Sequence, residues 1–419
     1  MKTLIVDPAI HSPGGHHYAA IDRLQVELAG AGIDAPCLGS VAATPEVVRA
    51  LDCTAAFTSP VYGRDYQSPR EFQARVDRTT RELSRALRRL GVWPDILILP
   101  CCDQVLAASV ARVLRRHPLK RPPQVLMWLL YGPHHRLAPE NPAAIALHDE
   151  SRRAFTALLN ALGDRRLLTA YSETEAMAAF YRGLLPFDVG VAPGAGIALP
   201  SAIEESCPQT RDHPRLTIAG FANRSKGYRL LPEAIPRLLQ RHATSRFTVH
   251  GIVAGSDAED DSWIFDDLET LGPRVDIRRG VLSDEAYIDL LSRTDLLLLP
   301  YDPESYRARG SAMSNEARRM GIPIVAPADC AFAWPAFEEG HGVAMSRYSP
   351  DGLTEATVDA LGRLDALKLQ ASAVAVTTKD PLNGILEATV EAARARPHHG
   401  AAGSLRSLPS LRRLLGLAS

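Results

Sequence analysis

Two stretches of this 419-residue chain combine side chains that suit a phosphate ligand. In the first, residues 220–227 form a glycine-containing loop that carries Arg224 and Lys226. Arginine meets phosphate oxygens as a planar fork, and lysine meets them as a point charge. Lys226 is one of only five lysines among the 47 basic residues, so the arginine-rich composition does not explain it. The loop indicates a diphosphate site, and an exposed basic loop is the alternative.

The second stretch, residues 301–326, suits other parts of a nucleotide. Gly310 and Ser311 can begin a helix whose unpaired N–H groups face a phosphate. Glu316 lies about one and a half turns inside that helix, where it could accept hydrogen bonds from a ribose. Gly321 would end the helix before the next strand. Because a glutamate on such a helix is by default a solvated side chain, this stretch alone does not establish a ribose site.

Short apolar runs alternate with longer amphipathic patterns and must position these loops. In the first amphipathic pattern, Ile21, Leu24 and Leu28 share one helix face. Ser172 and Glu175 have the spacing of a capping box that opens a later helix. Strands alternating with helices imply parallel sheets covered on both faces. The apolar runs predict strands at 3–6, 95–99, 125–130, 167–170, 189–192, 216–219, 247–252, 275–278, 296–299 and 322–326.

The alternation is interrupted once, which predicts two domains. Residues 199–215 contain three prolines and no periodicity, as expected of a linker. The fold class is therefore α/β, with two Rossmann-like doubly wound lobes at 1–198 and 214–380. A helix at 381–397 and a tail at 398–419 follow.

Composition excludes several classes of protein. The chain is 46% apolar and 23% charged, which is typical of soluble globular proteins. Its net charge of −1 lacks the basic excess that nucleic-acid binding requires. The longest apolar runs fall far short of the roughly 20 residues that span a bilayer. The apolar run at the start of the chain is too short for a secretory signal, and an acidic residue follows it too early. We expect a cytoplasmic protein.

Metal and nicotinamide sites are not expected. Vicinal histidines occur at His16-His17 and His134-His135, but no carboxylate or cysteine lies at helical spacing to complete a metal site. The six cysteines also lack metal-binding spacing. Neither glycine loop matches the Gly-x-Gly-x-x-Gly pattern of a dinucleotide site.

Several motifs, taken in order along the chain, resemble glycosyltransferase family 4, the retaining nucleotide-sugar transferases of GT-B fold. These motifs are Gly14-Gly15, Tyr171-Ser172, Ala192-Pro193-Gly194, Arg224 with Lys226-Gly227, and Glu316 with Gly321, Pro323 and Val325. The resemblance implies that the two lobes face each other across a cleft and that the 381–397 helix crosses back to the first lobe. It also implies that no metal is needed, because cationic side chains and helix ends neutralise the leaving diphosphate. No other cofactor is expected, and the nucleotide-sugar counts as a substrate.

The resemblance also implies roles for individual residues. Arg224 and Lys226 would hold the leaving diphosphate, Glu316 would bind the ribose, and a histidine at 134 or 135 would line the sugar site. The sequence does not choose between those two histidines. The complete predicted site is Arg224, Lys226, His134 and His135 for catalysis, Gly14, Gly15, Arg309, Gly310, Ser311 and Glu316 for the donor, and His16, His17 and Tyr18 for the acceptor side.

The chain departs from the family pattern at Ala308, where the first residue of a Glu-x7-Glu pair would be a glutamate. In the family this glutamate contacts the donor sugar. Tyr306, Arg307 or Arg309 could take its place, and either arginine would add positive charge near the leaving group. An arginine-rich composition explains the two arginines equally well.

The resulting prediction is a retaining glycosyltransferase that moves a sugar from a nucleoside-diphosphate sugar to a glycan or lipid-linked hydroxyl acceptor. One alternative is a catalytically degenerate partner subunit, suggested by Ala308. Another is a sugar-nucleotide epimerase of the same fold. The leucines and arginines of the tail would allow peripheral contact with the inner face of a membrane.

Overall fold

The computed structural model describes residues 1–60, 66, 68–91, 93–117, 119, 121–134, 136–197, 199, 212–253 and 262–396. These residues form two separate parallel sheets flanked by helices. This confirms the predicted α/β class with two doubly wound lobes. His135, the tail at 398–419 and most of the predicted linker lie outside the described residues.

The N-terminal lobe contains a seven-stranded sheet in the order β3-β2-β1-β4-β5-β6-β7. Its strands are β1 (Thr3–Val6), β2 (Cys37–Ser40), β3 (Cys53–Phe57), β4 (Ile96–Leu99), β5 (Gln124–Trp128), β6 (Leu168–Ser172) and β7 (Gly190–Val191). Its helices are α1 (His16–Gly30), α2 (Pro45–Ala50), α3 (Pro69–Leu90), α4 (Gln104–Arg116), α5 (Pro142–Ile145), α6 (His148–Leu162) and α7 (Glu175–Leu184).

The C-terminal lobe contains a six-stranded sheet in the order β10-β9-β8-β11-β12-β13. Its strands are β8 (Arg215–Ile218), β9 (Arg246–Gly251), β10 (Val275–Arg279), β11 (Leu296–Leu298), β12 (Ile324–Pro327) and β13 (Gly342–Met345). The helices are α8 (Leu231–Arg241), α9 (Trp263–Glu269), α10 (Asp284–Ser292), α11 (Pro303–Tyr306), α12 (Ala312–Met320), α13 (Trp334–Glu338), α14 (Pro350–Gly362), α15 (Leu364–Thr377) and α16 (Leu382–Arg394).

Each sheet is covered on both faces, as the continuous apolar runs predict. In β1, Leu4 and Val6 belong to one core, while Ile5 between them belongs to the core on the other face. Successive side chains of a strand point to opposite faces, so a strand buried on both sides must be apolar at every position. The last helix, α16, packs Ile385, Leu386 and Val390 into the same core as Ile5 of the N-terminal lobe.

The loops that carry the predicted site lie at the point where the strand order of each sheet reverses. β1 pairs with both β2 and β4, and β8 pairs with both β9 and β11. In open parallel sheets, ligands bind beyond the carboxyl ends of such strands. Asp7 follows β1, Gly220 closely follows β8, and Tyr301 closely follows β11.

Some local predictions were wrong or incomplete. The predicted capping box fails because Ser172 ends β6 and its hydroxyl donates to the carbonyl of Leu129, 2.9 Å away. Thr174 caps α7 instead, accepting from the N–H of Met177. Strands β2, β3 and β13 were not predicted, because their short sequences contain glycine, serine, threonine or alanine among the larger apolar residues. No helix in the described part of the chain is long and apolar enough to cross a membrane.

Candidate functional site

A cavity of about 900 Å³ lies between the two lobes and is lined by residues of both. It brings together predicted residues from three segments that are far apart in sequence. His134 is not among its lining residues, and its Nδ1 accepts from the N–H of Arg136, 3.3 Å away. The predicted residues that line the cavity are Gly14, Gly15, His16, His17, Tyr18, Arg224, Lys226, Arg309, Gly310, Ser311 and Glu316.

Lys226 is held at the cavity by a tight turn after β8. The carboxamide oxygen of Asn223 accepts from the backbone N–H of Lys226, 3.1 Å away, and closes the turn. A Cβ at Gly220, where φ is +117°, would lie 2.9 Å from the Lys226 Nζ. The ammonium also lies 5.1 Å from the centroid of the Tyr301 ring. Glycine at 220 therefore lets the ammonium lie against the backbone, while Arg224 in the same turn is exposed.

The N-terminus of α12 faces the same cavity. The hydroxyl of Ser311 accepts from the N–H of Ser314, 3.3 Å away, and caps the helix. Gly321 ends the helix in the left-handed conformation, with φ +68°. The sequence predicted both ends. A helix N-terminus carries partial positive charge, so it adds to the charge of Lys226 across the cavity.

Glu316 is a buried side chain and is only 5% exposed. The hydroxyl of Tyr287 donates to its Oε2 over 2.6 Å. Burial raises the pKa of this carboxyl, while the Tyr287 bond and the charge of Lys226 oppose that rise. The N-terminal lobe reaches it too, since a Cβ at Gly196 would lie 3.4 Å from its Oε1. The solvated alternative for Glu316 is therefore wrong, and Tyr287 is a partner that the sequence did not reveal.

The first glycine loop forms a contact between the lobes. Gly15 has φ +88°, and a Cβ there would lie 3.0 Å from the ring of Phe221 in the other lobe. A Cβ at Gly14 would lie 3.1 Å from the side chain of Val281. We call this contact the glycine seam. Glycine is favoured at 15 by its positive φ and at both positions by the close approach of the other lobe.

The two histidines after the seam differ in environment. His17 Nδ1 donates to the carboxylate of Asp7 over 2.6 Å, and Asp7 is buried at the end of β1. This bond fixes the orientation of the imidazole ring. Desolvation and the positive charges of His17, Lys226 and Arg309 lower the pKa of His16 well below 6.5. Asp7 was not predicted from the sequence, although a carboxylate directly after the first strand was a visible signal.

The segment around Ala308 is anchored to the N-terminal lobe. The hydroxyl of Thr174 donates to the Ala308 carbonyl, and Ala308 packs in the core of that lobe. Arg309 stacks between the rings of Tyr131 and Tyr306, at 4.5 and 4.3 Å from their centroids. Arg307 instead pairs with Glu140 over 2.8 Å outside the cavity. Of the two arginines considered from sequence, only Arg309 lines the cavity.

One further carboxylate, missed from sequence, lies where the lobes meet. Glu173 follows β6, lines the cavity and accepts from the N–H of Gly194 over 3.2 Å. Burial raises its pKa, and the Gly194 N–H and the charge of Arg309 act in the opposite direction. Among the described residues, no group of three or more His, Cys, Asp or Glu side chains is arranged to hold a metal ion.

Comparisons with solved structures identify proteins of the same architecture. The sucrose-phosphate synthase of Thermosynechococcus elongatus aligns over 93% of this chain and 98% of its own, with 14% identity and a TM-score of 0.62. A trehalose-6-phosphate protein from E. coli bound with UDP-2-fluoro glucose aligns over 95% and 100%, with 14% identity and a TM-score of 0.62. The UDP-GlcNAc 2-epimerase of Neisseria meningitidis bound to UDP-GlcNAc aligns over 93% and 100%, with 14% identity and a TM-score of 0.57.

No protein-family model and no curated protein matches the chain. At these identities the structural similarity defines the fold alone. The similarity extends over both lobes, and the chain therefore has the two-lobed GT-B fold.

Proposed function

We propose that the protein transfers a sugar from a nucleoside-diphosphate sugar to a hydroxyl acceptor on a glycan or glycolipid. The observation that carries this proposal is the composition of the cavity between the lobes. Lys226 and the N-terminus of α12 offer positive charge to a diphosphate, and the buried Glu316 lies farther along the same helix to accept from a ribose. The solved structures of the same fold include two bound to UDP-sugars, which supports a ligand of this class.

The proposed chemistry follows from this placement and from the resemblance to retaining transferases. The acceptor oxygen forms a bond to the anomeric carbon on the face from which the diphosphate leaves. The bond between that carbon and the phosphate oxygen breaks, and the leaving phosphate takes the acceptor's proton. Lys226, Arg224 and the helix N-terminus stabilise the charge that develops on the phosphate. Retention at the anomeric carbon is the expected outcome.

A ligand-binding panel tests this proposal. Thermal unfolding is measured with UDP, GDP, ADP and TDP and with their sugars. A ligand that binds only the folded state at 100 times its dissociation constant adds about 2.7 kcal/mol of stability. We expect one nucleotide series to stabilise the protein, and NMR of the transfer product to show the donor's anomeric configuration. If no nucleotide stabilises the protein, the proposal is wrong; binding without turnover would favour a partner subunit.

Epimerisation of a sugar nucleotide is a second candidate, and the pair of Asp7 and His17 favours it. Front-face transfer needs no protein base. Epimerisation at the carbon beside the anomeric position removes a proton from that carbon and returns one to its opposite face, and this proton transfer needs an acid or base. A histidine held by a buried carboxylate in the cavity is suited to that task. Incubation with the sugar nucleotide in deuterium oxide, without acceptor, distinguishes the two. A labelled, altered sugar nucleotide indicates epimerisation, and an unlabelled donor consumed only with acceptor indicates transfer.

A further inference from the structure

We propose that Glu173 binds hydroxyl groups of the donor sugar and thereby selects a neutral sugar. This inference rests on the proposed function and adds a residue and a specificity to the same cavity. Glu173 belongs to the N-terminal lobe, whereas Lys226 and α12 belong to the C-terminal lobe. The donor would then be recognised by both lobes at once.

The carboxylate of Glu173 lies between two glycines, one from each lobe. A Cβ at Gly194 would lie 2.8 Å from its Oε1, and a Cβ at Gly310 would overlap both the Cβ and the carboxylate of Glu173. The N–H of Gly194 donates to Oε1 and so fixes that oxygen. Because both neighbours are glycines, the carboxylate can lie beside the start of α12. A larger residue at 310 would occupy the same space.

Backbone contacts hold this arrangement in place. Thr174, next to Glu173, donates its hydroxyl to the carbonyl of Ala308. This bond joins the start of α7 to the segment that leads into α12. Alanine at 308 offers no carboxylate and does not line the cavity, whereas Glu173 brings one there from the opposite lobe.

The neighbours of Glu173 indicate which part of a donor it would meet. Gly310 directly precedes Ser311, the cap of the helix that faces the diphosphate, so a group attached to the outer phosphate comes next to the carboxylate. An ionised carboxylate only accepts hydrogen bonds, and the hydroxyls of a sugar are donors. A sugar that carries its own carboxylate would be repelled. The geometry therefore favours neutral, hydroxyl-rich sugars over uronic acids.

The test compares Glu173→Gln with Glu175→Gln in the full-length protein. Glu175 lies two residues away at the exposed start of α7, pairs with Arg182 and does not line the cavity. Dissociation constants are measured for the nucleoside diphosphate and for its sugar derivative, and KM and kcat are measured with the sugar donor. For Glu173→Gln we expect diphosphate affinity within about 2-fold of the wild type and a roughly 10-fold or greater loss of affinity for the sugar nucleotide, because hydrogen bonds to a charged group are lost. Glu175→Gln should change neither.

Deoxy-sugar donors locate the contact. Suppose that Glu173 accepts a hydrogen bond from one particular hydroxyl. For the donor that lacks this hydroxyl, Glu173→Gln and the wild type should then have the same KM, because the deoxy donor and the substitution remove the same interaction. Equal sugar-nucleotide affinity in Glu173→Gln and the wild type would overturn the inference and leave the proposed function standing. Failure of the wild type to bind any nucleotide would instead overturn the proposed function and the inference with it.

Discussion

Lys226 is the residue on which the proposed transfer depends most directly. Its ammonium lies over the Tyr301 ring beside the backbone of Gly220, and the α12 N-terminus faces the same cavity. Lys226→Ala should lower transfer by about 100-fold or more, since removal of one preorganised charge or donor costs about 10²–10³ in rate. The fold should persist, because the turn is closed by the backbone of residue 226 rather than by its side chain.

The matched control for this prediction is Lys379→Ala, because Lys379 is exposed and does not line the cavity. Transfer assays and thermal unfolding are run on both variants. Unchanged turnover of Lys226→Ala would contradict the diphosphate role. A loss of turnover accompanied by unfolding would instead assign Lys226 to stability.

At the residue scale, the sequence predicted the groups that follow a short local motif. Lys226, Ser311 and Glu316 all line the cavity, because strand-to-helix loops of a parallel sheet share one edge. Asp7 and Glu173 were missed because each is a single carboxylate whose importance comes from a distant partner, His17 or Gly310. Local spacing carries no information about such partners.

At the scale of elements, the turn that ends at Gly227 joins β8 to the start of α8. Gly227 has φ +74°, and a Cβ there would overlap the carbonyl oxygen of Pro300 in the neighbouring loop. Gly227→Ala should therefore cost more than about 2 kcal/mol of unfolding free energy, because strain and overlap add together. Denaturant unfolding of the purified protein measures this cost.

Gly272→Ala is the control for that element, since Gly272 has φ +82° with no atom within 4 Å of the added Cβ. It should cost only about 1 kcal/mol, from conformational strain alone. If both substitutions lower the free energy of unfolding equally, Pro300 moves to make room for the added Cβ and the turn is not tightly packed.

The elements themselves were predicted unevenly, for a physical reason. Runs such as residues 96–99 and 296–299 are apolar at every position, because both faces of the strand are covered. In β2, Cys37–Ser40 is just as buried, but glycine and serine interrupt the apolar signal. A buried strand that packs small residues cannot be distinguished from a loop by hydrophobicity alone.

For the whole molecule, Asp380 is the residue that links the two lobes at the start of the returning segment. Its carboxylate pairs with Arg23 of α1 at 3.1 Å and with Arg319 of α12 at 3.3 Å. Asp380→Asn should lower the free energy of unfolding by about 1–3 kcal/mol, because two partly buried arginines lose a charged partner. The comparison is Asp359→Asn, whose exposed pair with Arg363 should be worth less than about 0.5 kcal/mol.

Calorimetry of both variants checks this prediction and reports whether the lobes unfold together. Similar small losses for Asp380→Asn and Asp359→Asn would mean that the lobes are joined mainly by the apolar packing of α16. A single transition in the wild type that divides in two for Asp380→Asn would be the strongest support for a link between lobes.

The two-lobed architecture was predictable because its signals repeat along the chain. Alternating runs, one proline-rich interruption and ordered motifs all gave the same answer, and the structure has the predicted GT-B fold. The sequence could not show which side chains meet between the lobes. Contacts such as Thr174 with Ala308 and Arg23 with Asp380 join residues more than a hundred positions apart.

The glycine seam has a consequence for how such a protein could acquire new substrates. A Cβ at Gly14 would lie 3.1 Å from Val281 and one at Gly15 would lie 3.0 Å from Phe221, so a side chain added at either position must displace a residue of the other lobe. Substitutions aimed at another sugar or acceptor should therefore be less costly at other positions of the cavity. Such positions lie on the remaining loops of the cavity and include Arg136, Leu137 and Glu304. New side chains can be introduced there without changing the glycine seam.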